Sequence, residues 1–165
     1  MTVQSEVKAK VPPRWFVRLA WSTHRGLYRF SGGRLGLRRA KPDRWGMMRL
    51  TTVGRRSGEP RSVILGYLTD GPNLCTLAMN GWGDGDPAWW LNLQAQPDAT
   101  VVTGDGELTV MARVAHGEER SRLWARWLEF DKNMDANAAA RSTETAVVVL
   151  EPNSAKRPGS APPHG

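Results

Sequence analysis

The sequence predicts an α+β protein built around a small closed sheet of mostly antiparallel strands. Six stretches carry a strand's alternation or apolar run, and most follow one another through tight turns. Only a short helix and one longer helix interrupt them, too few for the crossovers of a doubly wound sheet. The 165 residues, 40% hydrophobic, suit a single domain with one modest core.

In chain order, Pro12 and Pro13 precede a helical pattern from Arg14 to about Phe30. At 100° per residue Phe16, Leu19, Ala20, Thr23, Leu27 and Phe30 share one face. Arg14, Arg18, Arg25 and Arg29 line the opposite face, with Trp15, Trp21 and Tyr28 on its flanks. The glycines of "SGGRLG" end the helix. From residue 47 the period becomes that of a strand. "MMRLTTV" enters the Gly54–Pro60 turn and "RSVILGYLTD" leaves it, a hairpin. "DGPN" turns the chain into a third strand, "LCTLAMN". After the loop "GWGDGD", Pro87 opens a short helix at a favoured position. Two strands meet at Gly104-Asp105-Gly106, and in the second Leu108, Val110, Ala112 and Val114 alternate with Glu107, Thr109, Met111 and Arg113. A helix from about Glu118 to Phe130 carries Leu123, Trp127 and Phe130 on one stripe, and "TAVVVLE" is the last strand. The expected division is a basic amphipathic helix and connector over 1–46, a barrel over 47–151 and a disordered tail over 152–165.

Charge is unevenly spread. Residues 1–61 hold 15 Lys and Arg against 3 Asp and Glu, a net of +12, whereas residues 62–165 hold 8 against 13, a net of −5. Such asymmetry points to a polyanionic partner or an anionic membrane surface on the N-terminal side. A basic helix with interfacial aromatics suits peripheral attachment to a membrane; packing on the domain with the arginines in water is the alternative. No run of 18 apolar residues is present, and the start lacks a signal peptide's apolar segment, so a cytoplasmic protein is expected. The single cysteine, Cys75, lies in the apolar stretch "LCTLAM" and reads as a buried structural thiol.

Standard catalytic signatures are missing. "VGRRSGEPRSV" is too short for a phosphate-binding P-loop and lacks its G-K-[ST] ending. In "GWGDGD" the third glycine of a dinucleotide fingerprint is replaced by Asp86. His24, His116 and His164 are scattered without metal-ligand spacing, so no metal site is expected. With no acid–base pair visible, a bound cofactor would have to supply the reactive atom. The arginine turn is the candidate anion site. Its glycines allow backbone N–H groups to converge in a nest, and Arg55, Arg56 and Arg61 add charge-assisted bonds. A merely soluble hairpin tip is the other reading. The aromatic, glycine-rich segment from Gly81 to Asn92 suits a planar, negatively substituted heterocycle.

The blocks "LTTVGRRSGEPR", "GYLTDGPNL", "DPAWWLNLQAQPDATV" and "VVVLEP" resemble the deazaflavin-dependent nitroreductase and quinone reductase family of actinobacteria, over about residues 25–152. That resemblance implies a flavin-reductase-like, FMN-binding type of split β-barrel holding the deazaflavin coenzyme F-420. This coenzyme is a flat ring carrying a phosphate and an oligoglutamate tail. In its reduced form it would donate a hydride to an electron-poor acceptor: a quinone, an enone or a nitroaromatic. By the same resemblance Arg55, Arg56, Ser57 and Arg61 hold the phosphate and tail. Leu77, Ala78, Met79 and Asn80, with Ala88, Trp89, Trp90, Leu91 and Asn92, line the ring. Gly58, Ser62, Val63, Ile64, Leu65 and Gly66 complete the binding set.

Four positions depart from the family pattern. Asn80 stands for a frequent lysine, which leaves Arg56 or Arg34 to compensate. Val63-Ile64 stands for Asn-Pro. Gly66 stands for a tyrosine of the nitroreductase substrate site, and Tyr67 should point to the opposite face. No side chain is named as catalytic. Two alternatives are a flavin-mononucleotide enzyme on the same barrel and a basic nucleic-acid-binding module using the arginine- and aromatic-rich N-terminal segment.

Overall fold

The computed structural model describes residues 36–153. The sequence-predicted helix over 14–30, Arg34, and the tail from residue 154 lie outside the described residues. The strands are β1 (Gly46–Val53), β2 (Pro60–Asp70), β3 (Asn73–Leu77), β4 (Asp98–Thr103), β5 (Gly106–Val114) and β6 (Val147–Pro152). The helices are α1 (Ala88–Ala95), α2 (Gly117–Leu128) and α3 (Met134–Ala139). The strands close a barrel in the order β1-β2-β3-β6-β5-β4, every pair antiparallel. The expected closed antiparallel sheet is therefore present.

Strand alternation builds two cores rather than one. Met48, Leu50, Leu65, Tyr67, Val101, Val110, Val148 and Leu150 point into the barrel, where Trp89, Trp90 and Leu93 of α1 join them. Those two indoles pack edge to face, their centroids 6.3 Å apart. The opposite faces of β2, β3 and β6 offer Leu68, Cys75, Leu77, Val147 and Val149, covered by Leu123 and Trp127 of α2 and by Met134 of α3. Trp45 and Phe130 pack at the margin of this outer core. The Leu123–Trp127–Phe130 stripe read from the sequence thus faces inward as expected.

Three details differ from the sequence reading. β3 stops at Leu77 instead of running to Asn80, because the Met79 N–H turns back to the Leu77 carbonyl at 2.9 Å. In β5, Val110 and Ala112 enter the core, whereas Leu108 is 37% exposed at the rim. The short α3 was not anticipated, since "MDANAA" is too brief to show a helical period.

Register fixes which turns share an end of the barrel. Val53 pairs with Pro60 and Thr52 with Ala99, so the β1–β2 turn and the start of β4 lie together. The loop from Ala78 to Pro87 and α1 join them there. The Gly71-Pro72 and Gly104-Asp105 turns close the other end.

Candidate functional site

The β1–β2 turn is a compact loop fastened to itself. Gly54 N–H donates to the Glu59 carbonyl at 2.8 Å, and Gly58 N–H donates to the Gly54 carbonyl at 2.7 Å. Ser57 N–H also reaches Gly54, at 3.2 Å, while Ser57 Oγ accepts from the Glu59 N–H and from Arg61 Nη2, each at 3.3 Å. Gly58 sits at φ +69°, which explains a glycine there. Most N–H groups of the turn are consumed in this way, and the nest expected from its glycines does not form. Its capacity for anions lies in the guanidinium side chains of Arg55, Arg56 and Arg61. All three residues are exposed, and none pairs with a carboxylate among the described residues.

A buried amide ties this turn to α1. Asn92 is 4% exposed. Its Oδ1 accepts from the Arg55 backbone N–H at 3.1 Å and from Arg55 Nη1 at 3.4 Å. Its Nδ2 donates to Thr52 Oγ1 at 3.1 Å, and Thr52 Oγ1 donates to the Arg61 carbonyl at 3.4 Å. Each polar group of this set is satisfied by another, as buried polar atoms require. Arg55 is thereby held from the helix side.

The start of α1 faces the same end. Pro87 is its N-cap, and the carbonyl of Pro87 accepts from Trp90 and Leu91 N–H. The N–H groups of Ala88 and Trp89 precede the first intrahelical bonds and have no partner among the described residues. Two free donors at a helix start attract negative or electron-rich groups.

The preceding loop is clamped by a residue that sequence reasoning missed. Arg141 is 7% exposed and donates to the carbonyls of Ala78 (3.3 Å), Gly83 (3.0 Å) and Gly85 (2.9 Å), and to the hydroxyls of Thr143 (3.4 Å) and Thr145. Its only signal in the sequence is weak: a lone cation in a stretch of alanine, serine and threonine.

The sequence-predicted set divides by burial. Arg55, Arg56, Ser57, Gly58, Arg61, Ser62, Met79, Asn80 and Ala88 are exposed, and Val63, Ile64, Gly66 and Leu91 are half-buried. The side chains of Leu65, Ala78, Trp89 and Trp90 belong to the barrel core, and Leu77 belongs to the outer core. Along β2 the pleat sends Val63 and Leu65 inward and Ser62 outward, where its hydroxyl meets Thr51 Oγ1 at 2.8 Å. Gly66 lies beneath the Trp45 ring: a Cβ there would be 2.7 Å from Trp45 Cε3. Tyr67 points the other way, as expected, and is 1% exposed. Its hydroxyl accepts the Ala40 N–H at 3.3 Å, and burial raises its pKa above the ordinary value. Cys75 is buried, and desolvation pushes its thiol up to about 11, so it is a structural thiol rather than a nucleophile. No cluster of metal-ligating side chains occurs among the described residues. No helix among them is long and apolar enough to cross a membrane.

A flat polyanion fits these groups: guanidinium forks without a carboxylate partner, and two peptide N–H groups without an acceptor, among the described residues. The family model described as F-420H(2)-dependent quinone reductase matches residues 21–152. An F-420H(2)-dependent quinone reductase of Mycobacterium tuberculosis is 30% identical over 129 residues, which cover 77% of this chain and 85% of that protein. Among solved structures, an F-420-H2 dependent reductase (FDR-A) superposes with a TM-score of 0.58 at 27% identity, covering 64% of this chain and 93% of its own. A chain described as a domain-swapped dimer superposes with a TM-score of 0.61 at 27% identity, covering 85% of this chain and all of its own.

Proposed function

Because the chain belongs to the F-420H(2)-dependent quinone reductase family, an oxidoreductase family working with the reduced coenzyme, we propose that the β1–β2 turn and the α1 start form its coenzyme site. The observation that carries this reading is the contrast within the site itself. Among the described residues, Arg55, Arg56 and Arg61 have no carboxylate partner and two N–H groups at the α1 start have no acceptor. When bound, the reduced coenzyme supplies a hydride.

The chain's own residues bind and orient. Arg56 and Arg61 offer charge-assisted bonds to phosphate and glutamate carboxylates, and Arg55 does the same from a position set by Asn92. The N–H groups of Ala88 and Trp89 donate to oxygen or nitrogen atoms at the ring's edge. Met79 and Asn80, exposed on the adjoining loop, border that space. Trp89 and Trp90 contribute from beneath, since their side chains plug the barrel and keep water from its interior. Asn80 carries no charge where the family often has lysine, so Arg56 assumes a larger share of the anion. The acceptor is a quinone, with enones and nitroaromatics as further electron-poor substrates. Gly66, covered by Trp45, leaves no room for the tyrosine of a nitroreductase-type substrate site, which favours the quinone. A lipid quinone would be reached from the membrane surface through the basic face of Arg14, Arg18, Arg25 and Arg29. Sedimentation with anionic vesicles tests that attachment, which protein remaining in the supernatant at low salt would refute.

Fluorescence titration of the purified chain with coenzyme F-420, followed by reoxidation of the reduced coenzyme with menadione, tests the main reading. Saturable binding with quinone turnover is expected. Binding without turnover on any quinone would leave a carrier, and a yellow, flavin-bound protein with no affinity for F-420 would replace this reading with the flavin-mononucleotide one.

A further inference from the structure

Arg141 is buried, yet all five of its N–H donors end on neutral oxygens. Three of those oxygens are main-chain carbonyls of one loop, at Ala78, Gly83 and Gly85. The other two are hydroxyls two and four residues further along, at Thr143 and Thr145. A second fastening lies beside it: Ser142 N–H donates to Asp84 Oδ1 at 2.8 Å. Only a planar fork can serve carbonyls lying in several directions at once, so lysine is no equivalent here.

The loop so held is unusual in its backbone. Gly81, Trp82 and Gly85 all take left-handed conformations, with φ of 56°, 60° and 78°. For Trp82 such a conformation is uncommon and persists only where the surroundings impose it. Gly83 N–H closes a tight turn onto the Asn80 carbonyl at 2.9 Å. The loop begins at Ala78, carries Met79 and Asn80, and ends at Pro87, the N-cap from which the N–H groups of Ala88 and Trp89 follow. Its shape therefore sets where three elements of the proposed site stand relative to one another.

We propose that Arg141 is a positioning residue for hydride transfer: it touches no ligand, but its hold on Ala78, Gly83 and Gly85 fixes the ring-facing part of the site. This inference rests on the proposed coenzyme site. It separates two functions, because the arginine turn is anchored by Asn92 and not by Arg141. Loss of Arg141 should leave the coenzyme's anionic tail held while its ring is misplaced. Misplacement by about 1 Å costs on the order of 100-fold in turnover.

The test uses Arg141→Lys and Arg141→Ala in the full chain, with amide hydrogen exchange of the coenzyme-free protein and steady-state kinetics. Both variants should lose exchange protection over residues 79–90 while β1, β4 and β5 keep theirs. The kcat should fall on the order of 100-fold, with little change in coenzyme affinity by fluorescence titration. Guanidinium ion added to Arg141→Ala should restore part of kcat and leave an Arg56→Ala variant unaffected. Unchanged protection over 79–90, protection lost across the whole barrel, or local loss with kcat intact would each overturn the inference alone. A parent chain that binds no coenzyme would overturn the proposed function and this inference together. Should Arg141→Ala fail to fold, Arg141→Lys decides.

Discussion

Arginines on two faces of this barrel meet opposite fates. On the α2 flank, Arg122 lies fork to fork against Asp70 at 2.6 and 2.8 Å, with Arg126 adding a longer contact to the same carboxylate. Arg113 bridges both oxygens of Glu119, at 2.6 and 2.8 Å, and reaches Glu151 at 2.7 Å. At the β1–β2 tip, three arginines within seven residues have only Asn92 and Ser57 as side-chain partners among the described residues. The flank has spent its charge on its own carboxylates, and the tip has kept its charge for something else. Arginine number says little about function; the partners of each guanidinium say more.

Removing Arg56 should sharpen the contrast most. A charge-assisted contact is worth about 1.5–3 kcal/mol. Arg56→Ala should therefore weaken coenzyme F-420 binding by roughly 10–150-fold, read by fluorescence titration. Its thermal midpoint should stay within about a degree of the parent's, since an exposed side chain at a turn supports no packing. Equal affinity in the two proteins would return the turn to a soluble hairpin tip.

The flank should show the converse. Arg113→Leu leaves Glu119 and Glu151 facing each other without their common cation. Because these side chains are 30–43% exposed, solvent screens the loss to about 1 kcal/mol. A drop in thermal midpoint of about 3 °C is expected, with coenzyme affinity unchanged. A fall in affinity instead would mean that the two faces are not separate. Gly58→Ala at the tip, forced into φ +69° with nothing within 4 Å to clash, should cost a similar 1–2 kcal/mol through backbone strain alone. A midpoint equal to the parent's would show that the turn relaxes.

The smallest effect is in acid. Hydrogen bonding from Arg122 holds the Asp70 carboxyl below its ordinary 3.8, and Arg113 holds Glu119 below its ordinary 4.5. Depressed folded values mean stability that is complete above about pH 5. It drains as pH falls through the ordinary values and is gone below the folded ones. Thermal midpoints measured from pH 7 to pH 3 should fall in the parent and fall less steeply in Asp70→Asn, which starts lower. Parallel curves would remove Asp70 from the account.

Much of the barrel was legible because its strands alternate. Met48, Leu50 and Thr52 face in while Met47, Arg49 and Thr51 face out, and that period of two is written in the sequence. The coenzyme class was legible through the family resemblance that the glycine-bounded arginines and the tryptophan-rich block carry. What stayed hidden was polar and long-range. The Asn92 link spans 37 residues to Arg55, and the Arg141 clamp spans 58 to Gly83, with no local pattern marking either. The expected nest failed for the same kind of reason: the turn's N–H groups found acceptors within it and in Asn92. The resemblance places Leu77 and Trp90 along the ring, and their side chains are packed into the cores.

Closure of the barrel has a consequence for how copies of this protein behave in crowded solution. β1 pairs with β4 as well as with β2, so each of the six strands has two neighbours. An open sheet ends in a row of unsatisfied peptide groups that can template another chain and seed aggregates. Here closure shortens that row: among the described residues it persists in stretches such as Pro60–Tyr67 of β2, whose ladder runs to β1 alone, and strand addition would have to begin there rather than along a whole edge.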